Sequence, residues 1–309
     1  MSLRADGLKF HKFIASSKLI TKLYLRFLSL IFKRFPDNLF KRQLMNSLRL
    51  TQWSEVDLPV QHTKIGGIPI KIVPHFNEYD FESLLMQDLN YEEEIFSYLK
   101  TSGRAYDAII EIGANVGIYT LFFASFFKKS KIFSFEPSQK AYSRLLINMS
   151  LNQLSNVYVF NVAIGNKTTF INFYEPKNHL SNGSFDKKFA SIFSQEVDTN
   201  NILMIEGTLI EFLIETHDKV LLKIDAEGSE GMILENLKRC IHSKKPDILV
   251  ECLDIFEKDL NNLNLSEYYS FFQLTKCGPI LKERFESGAT RDYILIPKDS
   301  TALLGNPPR

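Results

Sequence analysis

The stretch Asp107–Thr120, DAIIEIGANVGIYT, decides the fold. Asp107–Ile112 is a short apolar run of the length a buried strand takes, and it stops at Gly113. Tyr119–Phe127 then reads as helix. A strand that breaks at glycine and runs directly into a helix makes a ligand cradle by simple mechanics. Glycine permits torsions and close approaches that a side chain forbids. The helix N-terminus offers unpaired N–H groups and the positive end of a dipole to a carboxylate or phosphate.

The chain repeats this alternation downstream. Lys131–Phe135 reads as a strand ending at Glu136-Pro137, followed by a helix over about Ser138–Leu151, and Asn156–Asn161 as a third strand. Phe170–Tyr174 adds another, and a polar loop spans Asn178–Ser184. Lys219–Ile224 and Asp247–Glu251 read as two buried strands separated by a helix over about Ser229–Cys240. Strands alternating with such helices predict an α/β, Rossmann-like domain with a mostly parallel sheet and helices on both faces. Two closing β-like runs, Tyr269–Thr275 and Arg291–Pro297 with a loop between them, predict an antiparallel hairpin at its edge.

Upstream, Thr63–Ile65 and Ile68–Val73 flank Gly66-Gly67, a dipeptide suited to a hairpin turn, and Pro69 marks the second strand as an edge. A helix is predicted near Tyr91–Thr101. Residues 8–50 read as helical, because Leu19, Ile20, Leu23, Tyr24, Phe27, Leu30 and Ile31 recur at spacings of three and four. The expected organisation is a basic helical segment over 1–55, a hairpin and linker over 56–85 and the α/β domain over 86–300.

Charge is unevenly spread over the 309 residues. The whole chain carries only +1, but residues 1–50 hold eleven Lys and Arg against Asp6 and Asp37, a net +9, leaving −8 for the remainder. A basic amphipathic helix can lie at a membrane surface or pack on its own protein. No apolar stretch reaches the ~20 residues needed to cross a bilayer. Cys240, Cys252 and Cys277 form no CxxC pair, which speaks against a disulfide framework. A cytoplasmic protein, peripheral at the membrane surface if the basic helix binds there, is expected.

Two constellations carry chemistry. Glu136 ends the strand after the glycine turn, 23 residues beyond Gly113. An acid there can accept hydrogen bonds from both ribose hydroxyls of an adenosine. The turn reads G-x-N-x-G through Gly113, Asn115 and Gly117. Without the central glycine of G-x-G-x-x-G, close approach to a pyrophosphate is difficult. The second constellation is Lys223-Ile224-Asp225-Ala226-Glu227-Gly228-Ser229-Glu230. Lys223 and Asp225 share a strand face, where a buried lysine and aspartate must pair or meet a ligand. Glu230 falls in the first helical turn, where an acid complements the dipole.

EIGANVGIYT, FSFEPS, NVAIGN and LLKIDAEGSE followed by PDILVE, in that order, resemble the FkbM family of S-adenosylmethionine-dependent methyltransferases over about residues 91–256. The family's first motif usually has Asp where Glu111 stands; its K-I-D-x-E-G-x-E motif is matched at every fixed position. The resemblance implies a class I methyltransferase fold for 86–300 and O-methylation of a hydroxyl on a sugar, glycan or polyketide-like molecule. It further implies that Glu111, Gly113, Asn115 and Gly117 form the turn at the methionine end of the cofactor. Glu136 would hold the ribose, and Asn161 to Ala163 would face the adenine. Asp225 and Glu227 would face the methyl group and the acceptor, with Lys223 beside them.

A hydroxyl must lose its proton to attack, so Asp225 or Glu227 is the expected general base, with His179 in the polar loop as a second candidate. Asp225, Glu227 and Glu251 also offer oxygen ligands to a divalent metal, as an alternative means of activating the hydroxyl. The competing readings are a nicotinamide-dependent oxidoreductase on the same kind of fold, or a membrane- or partner-binding protein with a vestigial pocket. A small-molecule or glycan acceptor is the expected partner; no nucleic-acid partner is.

Overall fold

The computed structural model describes residues 10–49, 51, 53, 58–75, 79–89, 91–177, 182–288 and 290–301. The described residues fall into two compact units, one within 1–91 together with 147–153, the other within 92–146 and 154–309.

The first unit holds three helices, α1 (residues 10–15), α2 (Lys18–Phe32) and α3 (Leu39–Arg49). Ser17 caps α2 by accepting from Ile20 N–H, and Pro36 lies just past its end. One face of α2 buries Thr21, Leu25 and Leu28. Leu25 and Leu28 join Met45, Leu48, Phe81 and Leu84 in a small core. Lys41 is fully buried, and its ammonium is satisfied by the carbonyls of Phe35 and Leu85 and by Asp37 at 3.0 Å. That clamp sets the turn between α2 and α3.

Strands β1 (Gln61–Ile65), β2 (Ile68–Ile72) and β3 (Asp88–Leu89) form a small sheet in the order β2-β1-β3. The hairpin turns through Gly66 and Gly67, both at positive φ, and Pro69 sits on edge strand β2 as expected. The Asn148 and Asn152 side chains accept from Val73 and Lys71 N–H at 2.9 and 2.8 Å, which satisfies donors on that edge.

The second unit starts with α4 (Glu93–Thr101), then β4 (Ala108–Ile112), α5 (Ile118–Phe126), β5 (Lys131–Phe135), α6 (Gln139–Asn152, of which 147–152 belong to the first unit) and β6 (Val157–Phe160). β7 (Ala163–Gly165), β8 (Thr169–Pro176), α7 (Lys187–Phe193), β9 (Val197–Glu206) and α8 (Thr208–Glu215) follow. The chain continues through β10 (Val220–Ile224), α9 (Glu230–Asn236), α10 (Lys238–Lys244), β11 (Asp247–Glu251) and α11 (Glu257–Asn262). It closes with β12 (Tyr269–Thr275), β13 (Gly278–Lys282) and β14 (Asp292–Pro297).

Eight strands make one sheet, in the order β13-β12-β14-β11-β10-β4-β5-β6. The five strands from β11 to β6 are mutually parallel; β14 pairs antiparallel with both β11 and β12. This is the expected Rossmann-like class I methyltransferase arrangement. Its core includes Ile110, Leu222, Ile224, Val250 and Leu295 under Ile233, Leu237 and Ile241. A second sheet has the order β7-β9-β8.

Several elements differ from the sequence expectation. The segment between the closing strands is not only a loop: Gly278–Lys282 pairs with β12, becomes the outer edge, and leaves β14 inside the sheet. β9 and α8 differ from the expectation too: the start of β9, VDTNN, is polar and is held by five residue pairs to β8 rather than by burial. The helix expected over Ser229–Cys240 is two, broken at Leu237. All three cysteines are free. Among the described residues no helix is long and apolar enough to cross a membrane.

Candidate active site

The C-terminal tips of the parallel strands are stitched together by backbone hydrogen bonds. Gly113 and Ala114 N–H donate to Phe135 O at 2.9 and 3.0 Å, and Asp225 N–H donates to Ile112 O at 3.0 Å. Gly113 sits at φ +85°, and a Cβ there would lie 1.7 Å from the Asp225 carbonyl oxygen. The glycine is therefore required by its torsion and by its neighbour alike. The loop after β4 and the acidic tip of β10 touch.

Asn115 at φ +49° and Gly117 at φ +89° complete the turn into α5. Gly117 occupies the N-cap, so no side chain caps the helix. Glu136 faces them from β5. Its Oε2 accepts from Asn115 N–H and its Oε1 from Ser138 N–H, both at 2.7 Å. Burial raises the Glu136 carboxyl to about 7, the two amides lowering it only in part.

Asn161 donates its amide to the carbonyls of Glu136 and Pro137 at 2.8 and 3.1 Å, so its side chain braces the loop. Ala163 is 2% exposed and pairs with Met204 in the second sheet. The Asn161 side chain thus orders the Glu136 loop, and Ala163 joins the ladder of the second sheet. Glu111 lies beneath the turn. It is fully buried on β4, accepting from Thr120 at 2.5 Å and Ser134 at 2.8 Å, and buttresses the turn from beneath.

Lys223 is the cation of the site. It stands opposite Glu111 in the parallel register of β10 and β4, which places both on one sheet face. Its ammonium reaches Asp225 Oδ2 at 3.1 Å and lies 4.3 Å from the Tyr119 ring centroid. Burial alone would strip its charge. Asp225, Glu111 and Glu92 outweigh burial and hold its pKa above the ordinary lysine value. The Asp225 side chain is 29% exposed against 4% for Lys223, so Asp225 is the open end of the pair.

Glu227 stands at φ +46°, with its carbonyl accepting from Ser184 Oγ at 3.0 Å. Burial, then the charges of Asp225, Glu251 and Glu230, raise its carboxyl well above the usual range; Glu251 is raised likewise, by burial and Asp225 first. Glu230 does more than complement a helix dipole. It folds back to accept from Ala226 N–H at 2.8 Å and from Gly228 N–H, and so clamps the Asp225–Ser229 loop.

His179 lies outside the described residues. Among the described residues no three His, Cys, Asp or Glu side chains converge as a metal site would require. Asp225, Glu227 and Glu251 do not form such a trio; Asp225 is instead directed onto Lys223. Sequence reasoning missed Glu92, Tyr119 and Asp292. Tyr119 hydrogen-bonds to Glu92, and Asp292 faces Glu251 across the β11–β14 ladder. Burial and the charges of Glu92 and Asp225 raise Asp292 well above its ordinary value. A partial signal existed, since Tyr119 opens the helix of the glycine turn; nothing local marked Asp292.

The residues suit an adenosyl sulfonium ligand. Asn115 Oδ1 is buried without a hydrogen-bond partner, an acceptor ready for an ammonium beside uncapped N–H groups ready for a carboxylate. The Glu136 carboxylate stands within the same loop set, one oxygen to each amide.

The Methyltransferase FkbM domain model matches residues 111–278, more than half of the chain. Methyltransferase 1 of Beauveria bassiana (strain ARSEF 2860) is 25% identical over 146 residues, covering 42% of this chain and 57% of the relative. The FkbM methyltransferase of Methylobacillus flagellatus KT, a crystal structure, is similar at 14% identity and TM-score 0.39, over 71% of this chain and 55% of that one. An S-adenosylmethionine-dependent methyltransferase of Agrobacterium tumefaciens shows 9% identity and TM-score 0.41, over 80% and 72%. The chain spans a little over half the length of the first two relatives.

Proposed function

The chain belongs to the FkbM methyltransferase family, and from that premise we propose that it transfers a methyl group from S-adenosylmethionine to a hydroxyl of a sugar, glycan or polyketide-like acceptor. The observation that supports this reading is the contact between Gly113 and the Asp225 backbone carbonyl, which sets the residue bearing a partly exposed carboxylate beside the glycine turn.

The bound cofactor supplies an electrophilic methyl carbon on a positively charged sulfur. The remaining work belongs to the chain. Asn115 Oδ1 and the uncapped start of α5 orient the methionine end, and Glu136 accepts from the ribose hydroxyls. Asp225 would accept the acceptor's hydroxyl proton, the bound cofactor supplying the methyl group to that oxygen and its sulfur keeping the electron pair of the broken bond. Lys223 holds Asp225 in place and leaves its outer oxygen for that proton. Glu227, whose raised carboxyl keeps its proton at neutral pH, donates a hydrogen bond to the acceptor. Positioning of the three reacting atoms provides the rest of the acceleration. A nicotinamide oxidoreductase has no support from Asn115 in the middle of the turn or from the family.

The test is to add the purified protein and isotopically labelled S-adenosylmethionine to glycan and lipid-linked extracts and follow label by mass spectrometry. Label at a hydroxyl oxygen, absent with Asp225→Asn, supports the reading. Label on nitrogen or carbon, or an Asp225→Asn protein as active as the parent, overturns it.

A further inference from the structure

The fully described outer face of α2 is apolar where a helix packed only on its own unit would be polar. Leu19, Leu23, Phe27 and Leu30 are 58–68% exposed, while the opposite face buries Leu25 and Leu28. Four exposed apolar residues at spacings of three and four make a continuous stripe. Phe13 on α1 is 68% exposed as well. Soluble surfaces rarely leave so long an apolar row uncovered.

The flank of the stripe is cationic. Lys18, Lys22 and Arg26 precede or follow its residues on α2, and Arg34 lies just beyond its end. The sole acid among residues 10–49 is Asp37, and it is paired with Lys41, so no carboxylate of this segment neutralises the flank. At the end of α2, within the same unit, lies a recess of about 630 Å³. Among the described residues, Lys33, Lys64, Lys71 and His62 line it and no Asp or Glu does. Lys33 there donates to the His62 carbonyl at 2.5 Å.

We infer that this face docks on the surface of an anionic phospholipid bilayer, with the α2 stripe entering the headgroup–acyl boundary and the lysines meeting lipid phosphates. Charge complementarity selects this occupant. A second copy would set the net +9 of residues 1–50 against itself, whereas an anionic leaflet attracts each Lys and Arg near it. Leucine and phenylalanine beside such charges are the side chains that partition into the interface. The recess then accepts a headgroup phosphate.

Sedimentation of the full chain with vesicles of phosphatidylcholine alone, or of phosphatidylcholine with phosphatidylglycerol, tests the inference. Binding to the anionic vesicles, weakening as salt rises, is expected. Leu23→Glu with Phe27→Glu should weaken it about tenfold or more, because both a membrane-facing apolar pair and the local charge are lost. Lys22→Glu with Arg26→Glu is the second variant, and it should remove the lipid-charge dependence. Thermal melting shows that each variant is folded, independently of any transfer activity. Equal binding to both vesicle types, no binding, or undiminished binding by the folded variants overturns the inference. So does a dimer of the parent chain that the Leu23 and Phe27 substitutions dissolve.

Discussion

Lys223 on β10 donates to Asp225, just past the strand's end, at 3.1 Å, a buried cation holding a carboxylate that still reaches solvent. The pair explains how a charged side chain is tolerated in the middle of a parallel sheet. Lys223 meets Asp225 on the open side and Glu111 on the closed side, and its ammonium lies over the Tyr119 ring.

Replacing Lys223 by Met keeps the volume and removes the charge. Asp225 and Glu111 are then left without their cation, and losing one partner of a buried ion pair costs about 3–5 kcal/mol. The expected outcome is a lowered melting temperature and a large fall in kcat, with cofactor affinity changed only a few-fold. Calorimetry with S-adenosylhomocysteine beside steady-state kinetics separates the two effects.

Glu136 and Asp225 should divide binding from chemistry. Glu136→Ala removes two hydrogen bonds to a charged acceptor, worth about 1.5–3 kcal/mol each, so cofactor affinity should fall about a hundredfold or more. Asp225→Asn keeps the shape and removes the base, so kcat should fall about a hundredfold or more with near-normal cofactor binding. The opposite pattern would reverse the assigned roles.

Gly113→Ala has no room. Its Cβ would fall 1.7 Å from the Asp225 carbonyl, a backbone atom that cannot rotate away, and φ +85° is strained for alanine. Cofactor binding should be abolished, with the loops after β4 and β10 losing protection in hydrogen exchange. Unchanged cofactor affinity would show that the two loops do not work as one.

Stability should fall as pH rises. Burial raises Glu136 and Glu230 to about 7 and raises Glu227 and Glu251 further. Between the ordinary glutamate value of 4.5 and these raised values, the folded chain holds protons that the unfolded chain has released. The unfolded state therefore binds fewer protons, and the unfolding free energy declines with pH across that window. Melting of the ligand-free protein at about pH 6 should exceed that at about pH 8.5. A melting temperature that rises over the same interval would contradict the burial of these groups.

Asp247 is the structural counterpart. It starts β11 at 5% exposure and is bound by Arg104 at 2.7 Å and by Tyr106 hydroxyl at 2.9 Å. Asp247→Ala strands the Arg104 charge and should cost about 3 kcal/mol or more, measured by denaturant unfolding. Cofactor affinity at temperatures where the variant is folded should be unaffected.

The local chain determined the alternation of strand and helix, the glycine turn at Gly113–Gly117, the hairpin at Gly66-Gly67 and the acidic tip at Asp225–Glu230. Each rests on periodicity or on torsions that only particular residues allow, and both are written in neighbouring positions. Tertiary structure decided the rest. The position of Glu111 in the β4–β10 register makes it a buried buttress of the turn. The Asn161 side chain braces a loop and Ala163 joins a sheet ladder. Asp292 came to the site only because β14 enters the sheet beside β11, and Gly278–Lys282 became the edge only because β12 was there to pair with it. Such roles depend on which strand lies next to which, a relation between residues far apart in sequence that burial and hydrogen bonding settle when the sheet assembles.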